Sequence, residues 1–286
     1  MDEAEDDVPY LMRGVTRMVT DSSVLISSSE YLNDAELRDW TAYIMLRRNG
    51  ADDPPETETV DLARILGRVQ SRGRIEGLIA EERRTNAAFD AWMSEGFVST
   101  FTLDDLAACP AGSVGRVLGS RIAAGAHGAK LVPAREAKGP YDYVLLRRAQ
   151  TRWLEHIVAG ASFDHFGEST THFVRLANLF EHLGADLAGE LAVFHMLAAL
   201  RYMPRTVLHY PQVTMTLLQS LTRARRFGIA SGPIFSLKYE DVLKLSPEMA
   251  RTRLGLAAAE DIDTGAASAF WAEALDEAPP RAAINA

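Results

Sequence analysis

A single cysteine, Cys109, is all that the 286 residues contain. A lone thiol excludes an intramolecular disulfide and a zinc ribbon, and it points to a reducing compartment. Long apolar runs are also lacking. The longest, Leu191–Leu200, holds ten residues and contains His195, whereas a bilayer-spanning helix needs about twenty. Positive charge is in short supply. Thirty Lys and Arg stand against 39 Asp and Glu, a net charge of -9, which speaks against a nucleic-acid partner held by phosphate neutralisation. The first residues have none of the positive charge of a signal peptide. Asp2, Glu3, Glu5, Asp6 and Asp7 instead read as an acidic, disordered tail over residues 1–9. The expectation is a cytoplasmic protein, at most peripheral at a membrane. No convincing β-run and no internal repeat occur. Gly112, Gly115 and Gly119 lack the preceding strand and following Lys-Ser/Thr of a phosphate loop.

What is present is helical periodicity. Spacing predicts helices over 34–48, 59–69, 75–93, a short one from Thr102 to Cys109, 114–126, 141–158, 168–183, 187–203, 207–227 and 239–254. The fold class is therefore all-α, with a central helix pair and an apolar groove. The domain runs over residues 10–263, and a loosely held tail follows over 264–286. The stretch Met196–Phe227 is rich in Leu, Met, Val and Tyr, and Arg223, Arg225 and Arg226 lie at its end. It reads as a core helix pair with a basic cap, or as a greasy face beside an anionic headgroup.

The central pair carries the chemistry. Arg148, Arg152, Glu155 and His156 recur at helical spacing and form one polar stripe. On the next helix Glu168, His172 and Arg175 form another. Three arrangements fit two such stripes face to face. His156, Glu168 and His172 can form a two-His, one-carboxylate site for zinc or iron. Arg148, Arg152 and His156 can clasp a substrate carboxylate or phosphate, with Glu168 orienting an arginine or acting as general base. Alternatively, Glu168 pairs with Arg152 and His156 is hydrogen-bonded, so that a polar network holds the two helices in register. His182 and His195 lie in helical stretches and read as packed side chains.

Four segments in order also resemble one family. LAACPAGSVG at 106–115 is similar to a Leu…Pro-x-Gly-Thr-x-Gly segment, and YDYVLLRR at 141–148 to a Tyr-x-x-x-Arg lead-in helix. HIVAG at 156–160 followed by FGE at 166–168 resembles a His…Gly…Leu-Gly-Glu signature. YEDVLKLSPEMARTRLGL at 239–256 is similar to a closing Trp-Glu…Pro…Val-Arg…Leu-Gly segment, with Tyr239 in the Trp place. The family is that of coenzyme Q (ubiquinone) biosynthesis protein four, and the likeness spans roughly 97–256. The resemblance implies binding of a polyprenylated quinone precursor or related isoprenoid lipid. It further implies chemistry at ring C1, loss of carboxylate with hydroxylation, with His156 and Glu168 handling protons; the arginine stripe places Arg148 and Arg152 on the head group. The alternative is a non-catalytic lipid-binding scaffold that organises other quinone-biosynthesis proteins at a membrane surface, with a homodimer among its assemblies.

The family motif reads His-Asp-x-x-His, eleven residues, then Glu, and implies a divalent metal, with zinc first. Here His156 and Glu168 match, while Arg152 and Trp153 occupy the first two places. Whether the chain is an enzyme turns on those two replacements.

Overall fold

The computed structural model describes residues 29–49, 58–260 and 263–273. The acidic tail expected over residues 1–9 and the loop expected at 51–56 lie outside the described residues. Fourteen α-helices and no strand occur among the described residues: α1 (Glu30–Asn33), α2 (Ala35–Leu46), α3 (Glu58–Val69), α4 (Arg72–Thr85), α5 (Ala87–Glu95), α6 (Leu103–Ala107), α7 (Val114–Ala123), α8 (Pro140–Val158), α9 (His165–His182), α10 (Ala185–Leu200), α11 (Tyr202–His209), α12 (Thr214–Ala230), α13 (Pro247–Leu254) and α14 (Gly265–Glu273). The all-α class stands.

Side-chain caps explain many of the starts. Asp34, Ser71, Asn86, Thr102, Ser113, Asp164 and Ser246 each accept a backbone N–H from the first turn of the helix that follows. Thr102 and Asp105 reciprocate in a capping box. Pro140 and Pro247 open α8 and α13 at positions where the missing N–H costs nothing.

Three sequence expectations are corrected. The helix expected over 75–93 is two, because Asn86 leaves the helical conformation and caps α5. The helix expected over 207–227 breaks at Tyr210-Pro211, since the residue before a proline is pushed out of the helical region. The tail expected from residue 264 begins instead with α14, and its Trp271 is fully buried.

Four apolar clusters make the core, and the α8–α9 hairpin lies among them. Leu154 and Val158 of α8 join Val174 of α9 in one cluster. Tyr143, Val144 and Leu179 join a second. Phe166 packs with Tyr202, Tyr210 and Trp271 in another, and α2, α3 and α10 supply the remaining one. Helix α9 packs chiefly against α10 and α12. Glu155, His156, Glu168, His172 and Arg175 of the two polar stripes are therefore buried, whereas Arg148 and Arg152 are only partly so. Among the described residues, no helix is long and apolar enough to cross a membrane.

Candidate functional site

Helices α8 and α9 are joined by a short turn in which Gly160 takes a left-handed conformation (φ 66°), a cheap geometry only for glycine. The turn returns the chain so that His156 and Glu168 face each other. His156 Nε2 lies 3.3 Å from Glu168 Oε1, and both residues are buried. His156 Nδ1 lies 3.0 Å from the Ser162 carbonyl. A carbonyl only accepts, so Nδ1 carries a proton. The ring is held further by stacking on Trp153, with centroids 5.4 Å apart.

Arg152 does not point at open space. Its Nη2 donates to Glu168 Oε2 at 2.5 Å, and its guanidinium lies 4.6 Å over the Trp153 ring. Burial pushes the Glu168 carboxyl upward, but the charges of His156 and Arg152 outweigh it and hold the group well below the usual carboxylate range. Alongside, Glu155 accepts from Arg175 and from Thr151, and the Arg175 Nη2 donates to the Arg148 carbonyl at 2.8 Å. Of the three arrangements open in the sequence, the pairing of Glu168 with Arg152 is the one whose contacts are present.

His172 lies beyond Glu168, its Nε2 3.7 Å from Oε2. Its Nδ1 faces the Nδ1 of His195 at 3.0 Å. From sequence alone His195 reads as a packed side chain, because it lies within an otherwise apolar run. A lone imidazole in such a run was the available signal. Burial holds both rings well below the ordinary histidine value, against the pull of Glu168 on His172. Two neutral imidazoles sharing one contact need one donor and one acceptor. With His172 Nε2–H turned toward the carboxylate, His172 Nδ1 is the acceptor and His195 Nδ1–H the donor.

A divalent ion at His156, Glu168 and His172 does not fit this donor set. A guanidinium already occupies Glu168 Oε2, and Trp153 at the neighbouring position offers no ligand atom. Among the described residues no three His, Cys, Asp or Glu side chains are grouped to hold an ion.

Arg148 differs from its neighbours. No carboxylate among the described residues forms an ion pair with it, and its guanidinium lies 5.2 Å over the ring of Phe194. Burial, reinforced by the charge of Arg175, pushes it down to about 10, so it remains a cation at neutral pH. Together with Leu191 it lines two cavities. The inner one, about 40 Å³, is bounded by Trp92, Val144, Leu179, His195 and Phe235. The outer one, about 210 Å³, is bounded by Leu66, Tyr141, Leu145 and Phe194. The sequence-predicted residues thus divide. His156, Glu168 and His172 are grouped in the interior with the partly exposed Arg152 bound to Glu168, and Arg148 faces space a ligand can enter. At the far end of the hairpin, Arg223 and Arg226 of the expected basic cap line a separate cleft of about 150 Å³.

No family model matches the chain, and no curated protein matches it. A crystal structure from Nostoc punctiforme PCC 73102, of a protein assigned provisionally to ubiquinone biosynthesis, is similar with a TM-score of 0.54. The match covers 76% of this chain and 93% of that one at 20% identity. At that identity the likeness is one of fold.

Proposed function

We propose that this chain binds an isoprenoid-bearing aromatic acid of the quinone-precursor type, with the acid group on Arg148 and the ring and the start of the tail in the larger of the two cavities that Arg148 lines. The observation that carries this reading is the unpaired Arg148 cation between those cavities. A half-buried guanidinium without a counter-ion gains most from an arriving anion, which it grips through paired N–H donors. Tyr141 and Phe194 offer rings beside Arg148 in the larger cavity, and Leu66 and Leu145 an apolar path. The ubiquinone-biosynthesis assignment of the Nostoc protein supports a ligand of this class.

Binding without turnover is the reading that Glu168 favours. A carboxylate held far below neutrality is a weak general base, and its oxygen Oε2 is spent on Arg152. The role is then to hold and present such lipids to other quinone-biosynthesis proteins at a membrane surface.

The test is titration of geranyl-4-hydroxybenzoate, read by isothermal calorimetry. Arg148→Gln is expected to weaken binding roughly tenfold or more, the range of a charge-assisted hydrogen-bond pair, and Arg148→Lys to weaken it less. Equal binding by the wild type and Arg148→Gln would overturn the head-group assignment. Release of CO₂ from the carboxyl-labelled compound would overturn the non-catalytic reading.

A further inference from the structure

We infer that the Arg152 guanidinium is a built-in cation that balances Glu168, so that this site folds and holds its geometry with no divalent ion. The inference does not depend on which ligand Arg148 takes. It starts from a buried carboxylate, Glu168, which needs positive charge close by. The nearest full-time cation is Arg152, 2.5 Å from Oε2, and its guanidinium cannot lose its proton near neutrality.

Its position is fixed by a stack rather than by chance. The guanidinium lies over Trp153, Trp153 stacks on His156 and on Phe163, and His156 is pinned by the Ser162 carbonyl. The two residues at 152 and 153 therefore act together: one supplies the charge and the other the platform that aims it.

Each imidazole lies at about the distance from Glu168 that two donors to one ion would keep. In a tetrahedral zinc site with bonds of about 2.1 Å, neighbouring donors lie about 3.4 Å apart. His156 Nε2 and Glu168 Oε1 are 3.3 Å apart, and Glu168 Oε2 and His172 Nε2 are 3.7 Å apart. Each imidazole addresses a different carboxylate oxygen, and the guanidinium takes the oxygen nearer His172. Taking away Arg152 leaves a buried carboxylate flanked by two imidazoles, a set that a divalent ion can compensate.

The experiment uses the full chain, with metal content by mass spectrometry and thermal melts with EDTA or added zinc. The wild type is expected to carry no stoichiometric metal and to melt at the same temperature in both additions. Arg152→Gln is expected to melt about 10 °C lower, because the buried Glu168 carboxylate is left without its full-time counter-charge. Arg152→His, four residues before His156 on the same helix face, is expected to bind one zinc and to gain several degrees from it. Adding Glu168→Gln to that variant should abolish the gain. A wild-type chain that holds one ion, and loses stability when EDTA strips it, overturns the inference. So does an Arg152→Gln chain as stable as the wild type. Should that variant not fold, Arg152→Lys keeps the charge: a folded, zinc-indifferent protein is expected, and a zinc-responsive one overturns the inference.

Discussion

Single residues in this chain differ in what burial asks of them. Glu168 is buried as an anion and must be matched, while His172 and His195 are buried as neutral rings and must not be protonated. Both demands make acid unfavourable. For the imidazoles the folded value lies below the ordinary 6.5, so their contribution is complete above about pH 6.5 and is lost as the pH falls further. For Glu168 the folded value lies below the ordinary 4.5, so its contribution is complete above about pH 4.5 and is lost as the pH drops through the depressed value. Chemical-unfolding midpoints should thus be level from pH 8 to about pH 7, decline below about 6.5, and decline again below about 4.5. The double substitution His172→Gln with His195→Gln should flatten the first decline and leave the second. An unchanged first decline would mean that these rings are not the groups that titrate. Periodicity put Glu168 and His172, four residues apart, on one helix face, and the hairpin expected from the two stripes set His156 opposite them. It could not reveal the contact between His172 and His195, which lie on different helices and meet only once α9 and α10 pack.

At the level of elements, two glycines separate what packing forbids from what it tolerates. Gly167 stands in the first turn of α9 against the turn from α8, where an added methyl group runs into the Ser162 carbonyl, the group that fixes His156. Gly189 in α10 has open space around the same position. Gly167→Ala is expected to destabilise by about 3 kcal/mol or more, since backbone must move. Gly189→Ala should be neutral or stabilising by up to about 1 kcal/mol, as for any unobstructed helical glycine. Urea unfolding of both variants distinguishes a tight hairpin from a loose one, and equal behaviour would refute the close approach of turn and helix. The hairpin itself was legible, because the apolar spacing on both sides is regular, although the Asp164 cap starts α9 at His165 rather than at the expected 168. The division of residues 75–93 was not. Its apolar pattern continues across Asn86, and only the cap geometry shows that a new helix begins there.

The whole molecule is closed by contacts between segments far apart in sequence, and these were the least legible. Glu58 accepts from Arg47, Arg201 and Arg205, with the last two at 2.7 and 2.6 Å. Burial raises the Glu58 carboxyl, and the arginine charges outweigh it and hold it low. Asn49 Nδ2 donates to the Trp271 carbonyl at 2.8 Å, and the Asn49 N–H donates to the Tyr210 hydroxyl at 2.8 Å. The Trp271 ring meets those of Phe166, Tyr202 and Tyr210 and lies 4.6 Å under the Arg205 guanidinium. Helix α14 is short and made mostly of small residues, and a single buried aromatic, Trp271, beside an exposed Phe270 gives no periodic signal. Its place is decided by the cavity it fills between α9, α11 and α12. Trp271→Ala should therefore cost about 3–5 kcal/mol and lower the melting temperature by about 10 °C in a chain of this size. Phe270→Ala, at a position 40% exposed, should leave it nearly unchanged. Phe166 lies two residues before Glu168, so the Trp271 variant should also loosen the start of α9, read as faster amide exchange there. A Trp271→Ala protein that melts with the wild type would detach α14 from the core and return the C-terminal segment to the loose tail its composition suggests.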